Sequence, residues 1–221
     1  MRIFLKSMIL TVLLLLTPAL IAAQEKTDPG SAKPKKTDGL TIDKIDEAAK
    51  KSGETSKRPG GEEIEFPEID GWNRGDIRTF PDRALGYSIG YESEDGGTVT
   101  IYVYNGGLKN ISSDINDKAV KAEIDRAKNE IVQIGKMGIY EGVKEIKSDT
   151  VTLGGSGGKV KALRSLYYFK VRGNEVDSEI YLFSYNNNFI KIRSTRPRAE
   201  NGAENKAFTN FLAELDAVFA M

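Results

Sequence analysis

The chain has 221 residues, 32 of them basic and 32 acidic, with no cysteine and no histidine. Those two absences exclude disulfides, thiol nucleophiles, thiolate or histidine zinc centres, and every catalytic constellation built on histidine or cysteine. The balanced charge supplies no bulk field for nucleic acid or an anionic membrane, and 39% hydrophobic residues suit one soluble domain with extensions.

Met1 to Ala23 reads as a secretory signal. Arg2 and Lys6 form a charged start, Met8 to Leu16 is apolar apart from Thr11, and Ala22-Ala23 supplies a small-residue cleavage site. Thr17-Pro18 interrupts the apolar run before it reaches the roughly 20 residues of a membrane span. Cleavage after Ala23 leaves no transmembrane span. Export without cysteine points to a bacterial periplasm or a bacterial secreted protein.

Gln24 to Gly60 reads as a flexible linker, rich in Lys, Thr, Asp, Gly, Pro and Ser. Thr41 to Lys51 within it carries Ile42, Ile45 and Ala49 at helical spacing, so a short helix is expected there, fraying or docking on a partner or the domain.

Gly61 to Met221 is expected to be a single domain. Ile64 and Phe66 open an extended piece, and Ile77 to Phe80 forms a short strand before Pro81. Leu85 to Asn105 is a hairpin, with Leu85, Tyr87, Ile89 and Tyr91 on one face of its first arm and Val99, Ile101 and Val103 on one face of the second. Ser113 to Ile134 is a helix capped by Ser112, Ser113 or Asp114, with a stripe of Ile115, Ala119, Ile124, Ala127, Ile131 and Ile134. Ile139 to Leu153 gives no clear period, and Gly154 to Gly158 is a flexible turn. Three meander strands follow, Lys159 to Val171, Asp177 to Tyr185 and Phe189 to Arg196. A helix from Gly202 to Ala220 then carries a wide apolar face.

Strands, helix, strands, helix is the order of an α+β domain with a mostly antiparallel sheet. The continuous apolar runs TVTIYVY and LYYF imply strands covered on both faces, by two helices, one on each face. The segments FPEIDGW, ALGYSIGY and TVTIYVYNGG, then helix, meander and aromatic-rich helix, resemble a group of uncharacterised exported bacterial proteins. The order is also similar to the PsbP/Mog1-like fold, over roughly Phe66 to Phe219. That resemblance implies an antiparallel sheet between helices and a small binding or assembly role, and it transfers no functional residue.

Four sets of residues are candidates for function. Lys191, Arg193, Arg196 and Arg198 could bind an anion or a partner's carboxylates, or form a solvated strand face paired with Glu200 and Glu204. Tyr102 and Tyr104 make an aromatic platform unless a helix buries them. Glu92, Glu94 and Asp95 could hold a metal ion, calcium above all, or simply solvate a turn. Glu141 and Glu145 could in principle serve as paired carboxylates. Gly154 to Lys159 misses a phosphate loop, because Leu153 stands at its first glycine and Val160 at its Ser/Thr position. No catalytic residue and no cofactor is assigned. The expected function is a non-enzymatic binding or assembly module of the cell envelope, whose partner is an envelope protein or a small ligand and not nucleic acid. The alternative is a hydrolase or lyase acting on an envelope polymer through carboxylates, Lys or Tyr.

Overall fold

The computed structural model describes residues 64–198 and 205–220. The expected signal segment, the linker, the helix at 41–51 and the partners Glu200 and Glu204 lie outside the described residues. Within them the protein is α+β. Seven strands, β1 (Trp72–Thr79), β2 (Tyr87–Ser93), β3 (Thr98–Tyr104), β4 (Tyr140–Thr152), β5 (Lys161–Val171), β6 (Asn174–Tyr185) and β7 (Asn188–Pro197), make one antiparallel sheet. Its spatial order is β1-β2-β3-β7-β6-β5-β4. Two α-helices, α1 (Lys118–Lys136) and α2 (Lys206–Phe219), pack against it.

The hairpins form where local chemistry asks for them. Ile89 pairs with Ile101 and Tyr91 with Val99, the apolar set read from the alternation. Arg172 and Gly173, then Asn186 and Asn187, take positive φ at consecutive positions, which matches the right-handed twist of the flanking strands. The pairing of β3 with β7, with Ile101 opposite Ile192, is the one that joins the first hairpin to the meander.

Two elements differ from the sequence reading. α1 begins at Lys118, with the Asp117 carboxylate accepting the Ala119 amide at 2.7 Å. Ser112 and Asp114 instead accept the amides of Asp114 and Asn116 at 3.1 and 2.8 Å, building turns ahead of the helix. The buried stripe therefore runs through Val120, Ile124, Ala127, Glu130, Ile131 and Ile134, with Val120 in place of Ala119 and the charged Glu130 buried among the apolar residues. The second difference is β4, a 13-residue edge strand broken by two register shifts. Its outward residues are mostly charged or polar, which erases the alternation a reader looks for and also protects the edge from pairing.

α2 sets aromatic residues against the sheet. The Phe211 ring lies 4.9 Å from Trp72 and 5.0 Å from Tyr91, and Phe219 lies 5.1 Å from Phe183 and 5.3 Å from Tyr185. From α1, Glu130 reaches Lys191 on β7, the register partner of Leu182.

Candidate functional site

The basic segment of β7 divides into two unlike halves. Lys191 is 7% exposed, so it is buried rather than solvated. Its Nζ lies 3.4 Å from Glu130 Oε2 and sits 4.9 and 5.5 Å from the ring centres of Tyr102 and Tyr104. Glu130 also binds Arg126, Arg126 binds Glu123, and Glu123 accepts the Tyr104 hydroxyl. Burial pulls the Lys191 ammonium below its ordinary range, and Glu130 opposes that in part. Burial raises Tyr104 well above the usual tyrosine value, and the Glu123 charge adds to the rise. Arg193 donates to the Tyr140 hydroxyl at 3.1 Å, and its Nε is buried without a hydrogen-bond partner among the described residues. The aromatic pair is therefore covered: Tyr104 is buried, Tyr102 is half-buried, and Lys191 occupies their faces. This is a charged core layer under α1, in which Lys191, Glu130, Arg126, Glu123 and Tyr104 answer one another as complementary partners.

Arg196 and Arg198 belong to a different place. Arg196 binds Glu179 and lies 3.9 Å from the Phe208 ring centre, while Arg198 lies 4.3 Å from that of Tyr168. Glu179 also accepts the Tyr181 hydroxyl at 2.6 Å and stands 3.8 Å from Arg164. Arg164 in turn grips Asp149 in a bidentate pair at 2.9 and 2.8 Å. A ladder of alternating sign thus crosses β4, β5, β6 and β7. The Arg164 hydrogen bonds hold the Asp149 carboxyl below its ordinary value. Burial, followed by the Glu179 charge, raises the Tyr181 phenol far above its own.

Beside this ladder runs a groove of about 710 Å³. Leu166 and Arg196 line it from the sheet, Phe208 and Leu212 from α2, and Ile146 and Arg198 also border it. Ile146 is among the large apolar residues left exposed, at 48%. The groove offers guanidinium edges beside aromatic and aliphatic surface, the chemistry that holds carboxylates, phosphates or aromatic groups of a partner. Sequence reasoning reached Arg196 and Arg198 but missed Asp149, Arg164 and Glu179. Each is one of many charges in its strand, and only the register of three strand pairs sets them side by side.

The acidic turn closes inward. The Asp95 carboxylate accepts Ser93 Oγ, the Gly97 amide at 3.2 Å and Asn205 Nδ2 at 3.4 Å, and the Ser93 hydrogen bond holds it below its usual value. Glu92 and Glu94 are outside that arrangement, one exposed on β2 and one exposed in the turn. Among the described residues no three acidic side chains gather as a metal ion requires. Glu145 pairs with Lys128 at 2.7 Å and accepts Ser165 Oγ at 2.9 Å. Burial would raise its value, but these partners outweigh that and lower it. Glu141 lies beyond a register shift on the same strand, and among the described residues no shared partner draws the two carboxylates together.

The glycine run is a clamped turn. Asp216 of α2 accepts the Lys159 amide at 2.9 and 3.0 Å and the Val160 amide at 2.7 Å. A Cβ on Gly158 would meet the Leu153 carbonyl oxygen at 1.7 Å, and one on Gly154 would lie 3.1 Å from the Ala213 Cα. Glycine is needed here for close approach to α2 rather than for freedom of movement. No protein-family model matches the chain, and no curated protein matches it.

Proposed function

We propose that this protein is a binding module of the bacterial cell envelope, exported by cleavage after Ala23 and carried on the 24–60 tether. The domain would then be a PsbP/Mog1-like arrangement, with α1 on one face of the sheet and α2 on the other. The alternation on β6 and β7 supports that placement: α2 meets Tyr181, Phe183 and Tyr185, while α1 meets Lys191. The observation that carries the functional reading is the groove beside α2, where Arg196 and Arg198 stand on aromatic rings next to exposed Ile146. Charges already matched within the ladder, Arg196 with Glu179 among them, make a firm floor, and the rim of exposed Ile146 and Arg198 is left for a partner's acidic and aromatic side chains.

The test uses the full chain expressed in a bacterial envelope, cross-linked in cells and purified, beside the surface variant I146E/R198E. The reading expects a mature N-terminus at Gln24 in the periplasmic fraction, and a partner recovered with the wild type and lost with the variant. Retention of Met1 in the cytoplasm, or equal capture by both proteins, overturns it.

A further inference from the structure

A second cavity, of about 820 Å³, opens where β4 ends, β5 begins and α2 stops. Its volume lies in the range typical of small-molecule sites. Phe183 and Tyr185 of β6 and Phe219 of α2 form an aromatic wall, with the Phe219 ring 5.1 and 5.3 Å from the other two. Val151 and Val160 extend that wall. Two exposed lysines, Lys159 and Lys161, stand at the border, and neither has an ion-pair partner among the described residues.

The lysines are held on fixed backbone. Asp216 binds the Lys159 amide through both carboxylate oxygens, and Lys161 pairs with Thr152 in the sheet. They sit two residues apart in the chain, around Val160, whose carbonyl accepts the Leu153 amide at 2.9 Å. The acid on the border, Asp114, accepts the Asn116 amide at 2.8 Å. The last turn of α2 presents carbonyl oxygens and so repels an anion at its own end. An anionic group entering the cavity is therefore drawn to the lysines, and an apolar body to the aromatic wall.

We propose that this cavity binds a small amphipathic carboxylate, its head paired with Lys159 and Lys161 and its acyl or aryl body against Phe183, Tyr185 and Phe219. The site is separate from the groove beside α2, although Val151 and Thr152 border both, so either reading can fall without the other.

Calorimetric titration of the full chain with decanoate, decyltrimethylammonium and acetate tests the proposal. Decanoate is expected to saturate one site, the cationic amphiphile to bind at least about tenfold more weakly, and acetate to give no detectable heat, because a charge pair at a solvated rim adds little without the buried apolar body. K159A/K161A should weaken decanoate about tenfold while K159R/K161R keeps its affinity, since the two guanidinium groups it introduces still carry the positive charge. Decanoate should also shift the ring resonances of Phe183, Tyr185 and Phe219. Equal affinity for the two head groups, decanoate binding untouched in K159A/K161A, or shifts confined to Ile146 and Leu212 overturns the proposal.

Discussion

Two helices hold this sheet by different means. Under α2 the contact is aromatic: Phe208, Phe211 and Phe219 meet Trp72, Tyr91, Tyr181 and Phe183, and the joint depends on area and shape. Under α1 the contact is partly ionic, with Lys191, Glu130, Arg126, Glu123 and Tyr104 in one chain of partners. An aromatic layer loses stability in proportion to the volume removed. A buried ionic layer loses it according to which partner is left behind. The first tolerates conservative swaps, whereas the second tolerates only the removal of matched groups.

The largest effect is expected where the aromatic layer is deepest. Phe211→Ala removes a ring that is 0% exposed and touches Trp72 and Tyr91, and should cost about 4 kcal/mol in urea denaturation. A loss comparable to a surface substitution would mean that α2 is not seated as described. Under α1, Glu130→Ala strands Lys191 and should cost about 3 kcal/mol, while E130L/K191M should come back to near wild-type stability or exceed it. If the double variant is no better than the single, the layer is not governed by charge pairing and the contrast between the helices fails.

Gly158→Ala tests the joint between the glycine turn and α2. The steric conflict with the Leu153 carbonyl should cost about 2 kcal/mol and detach the Asp216 clamp, seen as faster hydrogen exchange at the Lys159 and Val160 amides.

Alkali should act under both helices. Burial pushes Tyr91 and Tyr167 up to about 12, and Tyr104 and Tyr181 are raised as well. A raised value means that the folded state keeps a proton the unfolded state has lost. The stabilisation is complete below the ordinary value of 10.0 and fades as pH climbs from there through the folded values. Lys191, lowered by burial, acts in the opposite sense up to its ordinary 10.5, but it is one group against four. Stability at about pH 11 should therefore fall by about 1 kcal/mol or more relative to about pH 8, read as a lower urea midpoint. The smallest effect belongs to Lys147→Ala. It removes an exposed partner from Asp149, which Arg164 still holds, and should change stability by less than about 0.5 kcal/mol.

How far these features could be read in advance depended on their range along the chain. The β2–β3 hairpin, the β5–β7 meander and the apolar face of α2 follow from period-2 and helical spacing and from turn residues such as Asn186-Asn187 and Gly173. Of β1, only Ile77 to Thr79 fell within the short strand expected at Ile77 to Phe80, because most of that edge strand is exposed. β4 gave almost none, for the same reason. The start of α1 was misplaced because five residues from Ser112 to Asp117 can each serve as a cap, and the competing turns decide between them. The candidate basic residues were visible as a cluster of four, yet nothing local says that Lys191 meets Glu130 while Arg196 meets Glu179.

By itself, the sequence determined which chemistries are closed to a chain without histidine or cysteine, and it determined the α+β class through the alternation of apolar residues. Both depend on residue identity or on neighbours a few positions apart. The pairing of β3 with β7, the charge ladder across four strands and the two cavities beside α2 were decided only in the tertiary structure. They join residues tens of positions apart, and a strand shifted by one residue would turn each of those side chains to the other face.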